Sequence, residues 1–509
     1  MSNTVQPDVV LVNPGNRLQI YQSLGATLSA IEPPVWPALM ATFLRRRGFS
    51  VELLDANALD LTPEDTARQI VDMNPRLVVV AAYGHNPSAS TQVMPAAGAV
   101  CRAVKQAKDD VKIIMLGGHV AALPERTLQE EAVDYVCTGE GLFTIADLLE
   151  CLKANGKLSA VRGLCHWEHG RPVRTAPAPN VEALDEEIPG MSWDLLPMHE
   201  YRAHNWHCFG FLDRRQPYAS LYTTLGCPYH CTYCCIQAPF KEGERALGYV
   251  PQVNSYRLWS PESVVAQIDQ VVNTYGVRNI KFADEMFVLN KRHVNAICDR
   301  LLERGYDLNI WAYARVDTVK DGMAEKLRAA GFRWLCFGIE AGSRRVRDEV
   351  LKSYEQEQVY RTIQTVRQAG ISVIANYIFG LPEDDNDTMQ ATLDLALDLN
   401  CEFANFYSAM AYPGSPLYEQ AIRHGWPLPD TWSGYSQHSV DCLPLPTKYL
   451  SGSEVLAFRD HAWNTYFERP AYRDMIERTF GIETRRHVED MAAYSLPRRY
   501  ANGVGMPVR

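Results

Sequence analysis

Short apolar runs alternate with longer amphipathic segments from the start of the chain. The runs at 9–12, 51–54, 77–82, 113–116 and 135–136 are dense in Val, Ile and Leu and predict strands. Helical spacing covers 37–47, closed by Gly48, then 63–73, with Thr62 as N-cap and Pro63 at the first helical position, and 90–107. Strands alternating with helices predict a doubly wound, Rossmann-like parallel sheet over residues 1–150. Such sheets bind ligands beyond the carboxyl ends of their strands. The turns expected there are Asn13-Pro14-Gly15, Tyr83-Gly84-His85-Asn86-Pro87, Gly117-Gly118-His119 and Thr138-Gly139-Glu140-Gly141. Their glycines suit close backbone approach to a large ligand and equally suit ordinary tight turns. No Gly-x-Gly-x-x-Gly follows the first strand, which disfavours a dinucleotide.

Residues 151–215 read as a connector, with a proline-rich stretch at 171–179 and a break at Pro189-Gly190. The segment 193–197 is expected to pack against a neighbouring domain. From 219 to 412 the alternation resumes with a longer period. Strands are predicted at 220–223, 279–282, 309–314, 335–339, 373–379 and 403–409. Helices open at Ser260-Pro261 and Asn290 and close at Gly276, Gly305, Gly331 and Gly370. Six βα units predict an α/β fold with a partial (β/α)6 barrel over 216–420, its chemistry at the C-terminal strand ends. Residues 421–509 mix prolines, aromatics and two helical stretches, and predict a small, mainly helical cap or specificity region.

Composition then excludes some classes. The chain has 509 residues, 47% hydrophobic and 22% charged, so it is neither disordered nor fibrous. Its formal charge of −10 comes without any basic run, which argues against a nucleic-acid partner. No apolar stretch approaches the ~18 residues needed to span a bilayer, and the start MSNTVQPDVV lacks a basic n-region and a cleavage site. A cytoplasmic setting is the expectation. Most of the 13 cysteines, among them Cys101, Cys298 and Cys336, stand singly in apolar surroundings and read as small buried hydrophobes.

One group differs. Directly after the first barrel strand comes Thr224-Leu225-Gly226-Cys227-Pro228-Tyr229-His230-Cys231-Thr232-Tyr233-Cys234-Cys235. The Cys-x-x-x-Cys-x-x-Cys spacing puts three thiolates on one tight loop. Three is what a [4Fe–4S] cube needs if one iron stays open to another ligand. Structural zinc takes four protein ligands, usually as two separated pairs. Cys235 or His230 keeps that alternative open, although the second pair is missing.

This motif resembles the radical SAM superfamily, and the resemblance runs through the barrel. It implies that Cys227, Cys231 and Cys234 hold the cluster, that S-adenosylmethionine (SAM) chelates the open iron, and that reductive cleavage yields a 5′-deoxyadenosyl radical. It places Tyr233 beside the adenine and Cys235 outside the motif as a packing residue. Phe282-Ala283-Asp284-Glu285 stands where the superfamily has a Gly-Gly-Glu-like element receiving the methionine amino group, which nominates Asp284 and Glu285. Arg315 is assigned to the SAM carboxylate, Glu340 in Gly338-Ile339-Glu340-Ala341-Gly342-Ser343 to the ribose hydroxyls, and Ile378 and Gly380 in Tyr377-Ile378-Phe379-Gly380-Leu381-Pro382 to the adenine.

The preceding doubly wound module is similar to that of the cobalamin-binding class of the superfamily. The likeness lies in Asn13-Pro14, in 117–125 and in 134–141. It implies a cobalamin bound by Asn13, Pro14, Tyr83, Gly84, Gly117, Gly118, His119, Thr138, Gly139 and Glu140. None of the 13 histidines has Asp two before and Gly three after. The cobalamin is therefore expected base-off without a histidine on cobalt, His119 serving instead as a cap or a hydrogen bond to the corrin edge.

The class implies a methyltransferase acting on an unactivated carbon or a phosphinate, with a small-molecule substrate and a flavodoxin or ferredoxin as electron donor. Enzymes resembling the anaerobic magnesium-protoporphyrin monomethyl ester cyclase or ring-rearranging members are the runner-up. A zinc-stabilised binding protein and a barrel beside an empty first domain are more distant alternatives. Trp311, Tyr313, Tyr377, Tyr407 and Tyr412 are candidates for the substrate pocket.

Overall fold

Residues 6–15, 22, 28–84, 86 and 88–500 are described in the computed structural model. The first residues of the chain, together with His85 and Pro87, lie outside them. Five strands, β1 (Val9–Asn13), β2 (Val51–Asp55), β3 (Leu77–Ala81), β4 (Ile113–Leu116) and β5 (Tyr135–Cys137), pair in parallel in the order 2-1-3-4-5. The register runs Val9 to Val51 on one side and Val9 to Leu77 on the other. All five residues of β3 are buried, as expected for a central strand covered by helices on both faces. Thr62 caps the helix Pro63–Met73 by accepting from the Asp65 amide at 3.0 Å.

The segment read as a connector does more than connect. β6 (Leu164–Glu168) and β7 (Arg171–Arg174) extend the first sheet antiparallel beyond β5. Pro172 sits in β7, the edge strand, where its missing N–H costs no ladder bond. Trp193 is fully buried, and the Ser192 amide donates to the Ala38 carbonyl, which anchors this stretch to the first domain.

The second sheet begins with β8 (Tyr218–Leu221) and the short antiparallel pair β9 (Thr224–Leu225) and β10 (Arg257–Leu258). It continues with β11 (Asn279–Phe282), β12 (Asn309–Ala314), β13 (Phe332–Glu340), β14 (Ser372–Phe379) and β15 (Phe403–Ser408). β8 and β11 to β15 form one parallel sheet in the order 15-14-13-12-11-8. β15 and β8 are its two ends, so the barrel is open on one side. Trp206 packs inside the sheet's curve, with its ring 5.2 Å from Trp311 on β12 and 5.6 Å from Trp334 on β13. The helix Pro261–Tyr275 starts on Ser260 and stops at left-handed Gly276, and Lys291–Arg304 starts on Asn290 and stops at left-handed Gly305. The described residues of the C-terminal region carry three helices, Gly452–Glu468, Pro470–Phe480 and Ile482–Ala492, where two were expected. No helix among the described residues is long and apolar enough to cross a membrane.

Candidate active site

The loop after β9 carries the three cysteines, and polar groups from four places hold it. Asp284, at the end of β11 and fully buried, accepts from the Thr223 amide at 2.7 Å, the Thr223 hydroxyl at 3.1 Å, the Thr224 hydroxyl at 2.8 Å and the Thr224 amide. Burial still outweighs these donors and pushes its carboxyl up to about 6. Gln237 accepts from the Cys227 amide at 3.0 Å. Asn254 donates to the Cys227 and Tyr229 carbonyls at 3.0 and 2.8 Å. Arg315 grips Asp317 with Nε and Nη2 at 2.9 and 3.0 Å, and its guanidinium lies 4.0 Å from the Tyr229 ring centroid. Asp284 and Arg315, expected on SAM, both brace the cysteine loop. Burial pushes the Cys227 thiol up to about 12 and raises Cys234 further, so a positively charged ligand is needed to ionise them.

Above this loop lies a cavity of about 230 Å³ walled by Tyr233, Cys234, Glu285, Glu340, Ile378 and Tyr407. Four of these were expected around SAM. The Tyr233 hydroxyl donates to Glu340 Oε1 at 3.0 Å, and the buried Lys352 ammonium pairs with the same oxygen. Glu340 Oε2 is left for another donor. Glu340 ends β13 at φ +64, where the pairing with β14 slips by one residue. A non-glycine residue in the left-handed region is strained, and here the strain turns the carboxylate toward the cavity. Gly380 stands apart from the cavity. At φ +81 an added Cβ would run into the Val455 side chain, so its absence of side chain serves the packing of the helix Gly452–Glu468. Lys352 carried no motif. The only hint in the sequence was a lysine shortly after the Glu340 strand.

A second cavity touches the first. Tyr83, Gly84, Gly118, Tyr222, Cys235 and Glu285 are among its walls, and Asn13 and Pro14 line its continuation past Trp36 and Tyr83. The Trp36 and Tyr83 rings stack at 5.1 Å. Asn86, Cys235 and Glu285 border both compartments. Cys235 is therefore a wall between them and more than a packing residue. Burial pushes the Glu285 carboxyl up to about 7.

The remaining cobalamin candidates make contacts within the protein. Gly117, at φ +152, leaves no room for a Cβ beside the Ala82 carbonyl. His119 is buried, its Nδ1 3.2 Å from the Thr91 hydroxyl and its ring edge-on to Trp432 at 4.4 Å. Burial lowers its pKa to about 3, which keeps it neutral. Glu140 pairs with Arg257 at 3.0 Å, both side chains buried, and accepts from the Val181 amide at 2.9 Å. The Thr138 amide donates to Gly163, and Gly139 packs on the Pro239 carbonyl. Thr138 and Glu140, expected at the cobalamin, hold the first domain together and tie it to the barrel through Arg257.

Profile comparison finds the B12 binding domain over residues 21–149 and the Radical SAM superfamily over 221–396. The chain belongs to the cobalamin-binding radical SAM superfamily. It is 28% identical over 463 residues to a methyltransferase of Pyrococcus horikoshii whose activity is uncharacterised, covering 91% of this chain and 93% of that one. It is 25% identical to the anaerobic magnesium-protoporphyrin IX monomethyl ester cyclase of Cereibacter sphaeroides, over 90% of this chain and 69% of the cyclase. Its fold matches the radical SAM methyltransferase TsrM of Kitasatospora setae, solved with cobalamin and a [4Fe–4S] cluster, at a TM-score of 0.68 and 15% identity over 96% and 99% of the two chains.

The three thiols stand on one loop and act on one another, the donor type that a [4Fe–4S] cluster takes. No three His, Cys, Asp or Glu side chains among the described residues surround a single-ion position, as structural zinc requires. A cubane asks less convergence of its three cysteines, because each thiolate binds a different iron.

Proposed function

We propose that this radical SAM enzyme is a cobalamin-dependent methyltransferase acting on an unactivated carbon or a phosphinate of a small molecule. One observation carries the reading: the cavities at the C-terminal ends of the two parallel sheets meet, with Asn86, Cys235 and Glu285 in both walls. A methyl carrier in the first domain and a radical generator in the barrel thereby face a shared space.

In this reading Cys227, Cys231 and Cys234 hold the cluster. Tyr233, Glu285, Glu340 and Ile378 receive SAM, with Lys352 fixing Glu340 Oε1 so that Oε2 accepts from a ribose hydroxyl. Asn13, Pro14, Tyr83, Gly84 and Gly118 wall the cobalamin cavity, and no histidine is assigned to cobalt because His119 turns to Thr91 and Trp432. When bound, the cluster supplies the electron that cleaves SAM, and the cobalamin carries the methyl group. Asp284 and Arg315 act on the chemistry only by holding the cysteine loop. A flavodoxin or ferredoxin as electron donor and a cytoplasmic setting belong to the same proposal.

The test is anaerobic turnover of reconstituted protein with methyl-deuterated SAM and metabolite extracts. S-adenosylhomocysteine, 5′-deoxyadenosine and a product carrying the labelled methyl are expected together. The likeness to the cyclase supports a second reading, with both cofactors but no methyl transfer. It predicts 5′-deoxyadenosine with an unlabelled product and no S-adenosylhomocysteine.

A further inference from the structure

The SAM-side cavity does not end at the barrel mouth. Tyr313, Asn376 and Tyr407 also border a cavity that runs down the barrel interior between Trp311 on β12 and Phe403 on β15. That lumen opens through the gap beside β15 into a third cavity of about 280 Å³ beneath the C-terminal helices. His438, Arg459, Trp463 and Met491 border both.

Arg459 stands at this junction and is only 4% exposed. Its Nε donates to the Phe406 carbonyl at 2.7 Å and its Nη1 to Asp460 at 2.8 Å, while Nη2 makes no hydrogen bond among the described residues. Asp460 also receives Nε and Nη2 of Arg498, each at 3.1 Å. Among the described residues two guanidiniums share one carboxylate, so one positive charge is left without a counter-charge where the cavities meet. The other buried cation of the lumen, Lys281, is neutralised by Glu32 at 2.9 Å, and Glu468 lies exposed at the outer end. A buried guanidinium with an open edge is a receptor for a carboxylate, sulfonate or phosphate group. Above it, rings such as Trp311, Tyr313, Tyr407 and Trp463 offer flat apolar walls.

We propose that these cavities form one substrate channel and that the substrate is an acid with an apolar, ring-bearing body. Its anionic group pairs with Arg459, and its body reaches up the lumen toward the SAM cavity. The inference rests on the barrel's being the reaction chamber, and it narrows the substrate class. It also explains the C-terminal region, whose helix Gly452–Glu468 carries Arg459 to the open side of the barrel.

The test uses two probes that differ by one sulfonate, 8-anilinonaphthalene-1-sulfonate and N-phenyl-1-naphthylamine, titrated by fluorescence into the anaerobically reconstituted full-length protein. One site per chain is expected, with the sulfonate bound more tightly. Arg459→Gln should weaken the sulfonate at least tenfold and the neutral probe less than twofold, and Arg459→Lys should restore most of the loss. Equal loss of both probes, or an unchanged sulfonate affinity in Arg459→Gln, overturns the proposal. Should Arg459→Gln fail to fold, Ala493→Trp at the exposed rim of the third cavity leaves Arg459 intact. It should weaken both probes, and unchanged binding of both overturns the channel. Binding needs no turnover, so failure here is distinct from failure of the labelled-methyl assay.

Discussion

Replacing Arg257 by methionine strands the Glu140 carboxylate inside the junction between the two domains. The pair lies 3.0 Å apart with side chains 6% and 3% exposed. At an effective dielectric of about 20 that separation corresponds to an attraction of about 5–6 kcal/mol. Part of it is offset by desolvation in the native protein, and removing one partner of a buried pair typically costs about 3–5 kcal/mol. Met replaces the Arg stem without the guanidinium, so the contact of that group with the Phe240 ring, 5.0 Å from its centroid, is lost together with the charge. Urea unfolding, followed by tryptophan fluorescence, is expected to show the first transition destabilised by about 3–5 kcal/mol, read from that transition alone because a multi-domain chain need not unfold in one step. Glu140→Gln should cost a similar amount for the converse reason, an unpaired guanidinium. The double variant Arg257→Met/Glu140→Gln should be more stable than either single variant, since no buried charge is left alone. Glu140→Gln should also keep its cobalamin affinity within about twofold, since the structure uses Glu140 as a clasp. A loss under about 1 kcal/mol in Arg257→Met, or a double variant as poor as the sum of the singles, would refute the reasoning.

Three further outcomes follow from the same geometry. His119 has a native pKa of about 3 against 6.5 for an exposed imidazole, so the unfolded chain binds the extra proton first and stability falls as pH drops below 6.5. At pH 5 this is worth about 2 kcal/mol, and His119→Gln should lose correspondingly less stability than the parent between pH 7 and pH 5 in urea titrations. Gly380→Ala forces a Cβ into the left-handed region and against Val455. A loss of about 2–4 kcal/mol is expected, partly recovered by Val455→Ala, and a neutral Gly380→Ala would contradict the packing described. Lys352→Met should raise the SAM dissociation constant about tenfold by equilibrium dialysis, roughly the 1.4 kcal/mol of one charge-assisted contact. Unchanged SAM binding would detach Lys352 from the site.

Much of the fold was legible because its signals are local. The runs of β-branched residues at β3 and β4 fit only strands buried on both faces, and Ser260, Asn290, Gly276 and Gly305 mark helix ends through their own side chains or lack of one. The strands β6 and β7 were not legible, because a proline-bearing edge strand resembles a loop until its partner is in place. Among the site residues, the three cysteines could be nominated from their spacing and Glu340 from the likeness of its strand end to the superfamily's. Lys352 could not, since what makes it a site residue is an ion pair across 12 positions. Asp284 and Arg315 were expected on SAM and Glu140 at the cobalamin, and the motifs that nominated them do not say that Asp284 also meets Thr223 and Thr224 or that Glu140 meets Arg257, because those partners lie far away in the chain.

The amino-acid sequence by itself determined the two parallel sheets, the loop that presents three thiols, and the chemistry these residue types allow, since spacing along a chain sets which groups share a loop or a strand end. Tertiary structure decided which of the polar groups are spent on scaffolding, that the two strand-end cavities meet at Glu285, and that Arg459 from a distant helix faces the open side of the barrel. The physical reason is that a hydrogen bond or ion pair has finite capacity. Thr223 and Thr224 reach Asp284, 61 and 60 positions further along the chain, only after folding brings them within about 3 Å, and no pattern of residues along the chain encodes that encounter.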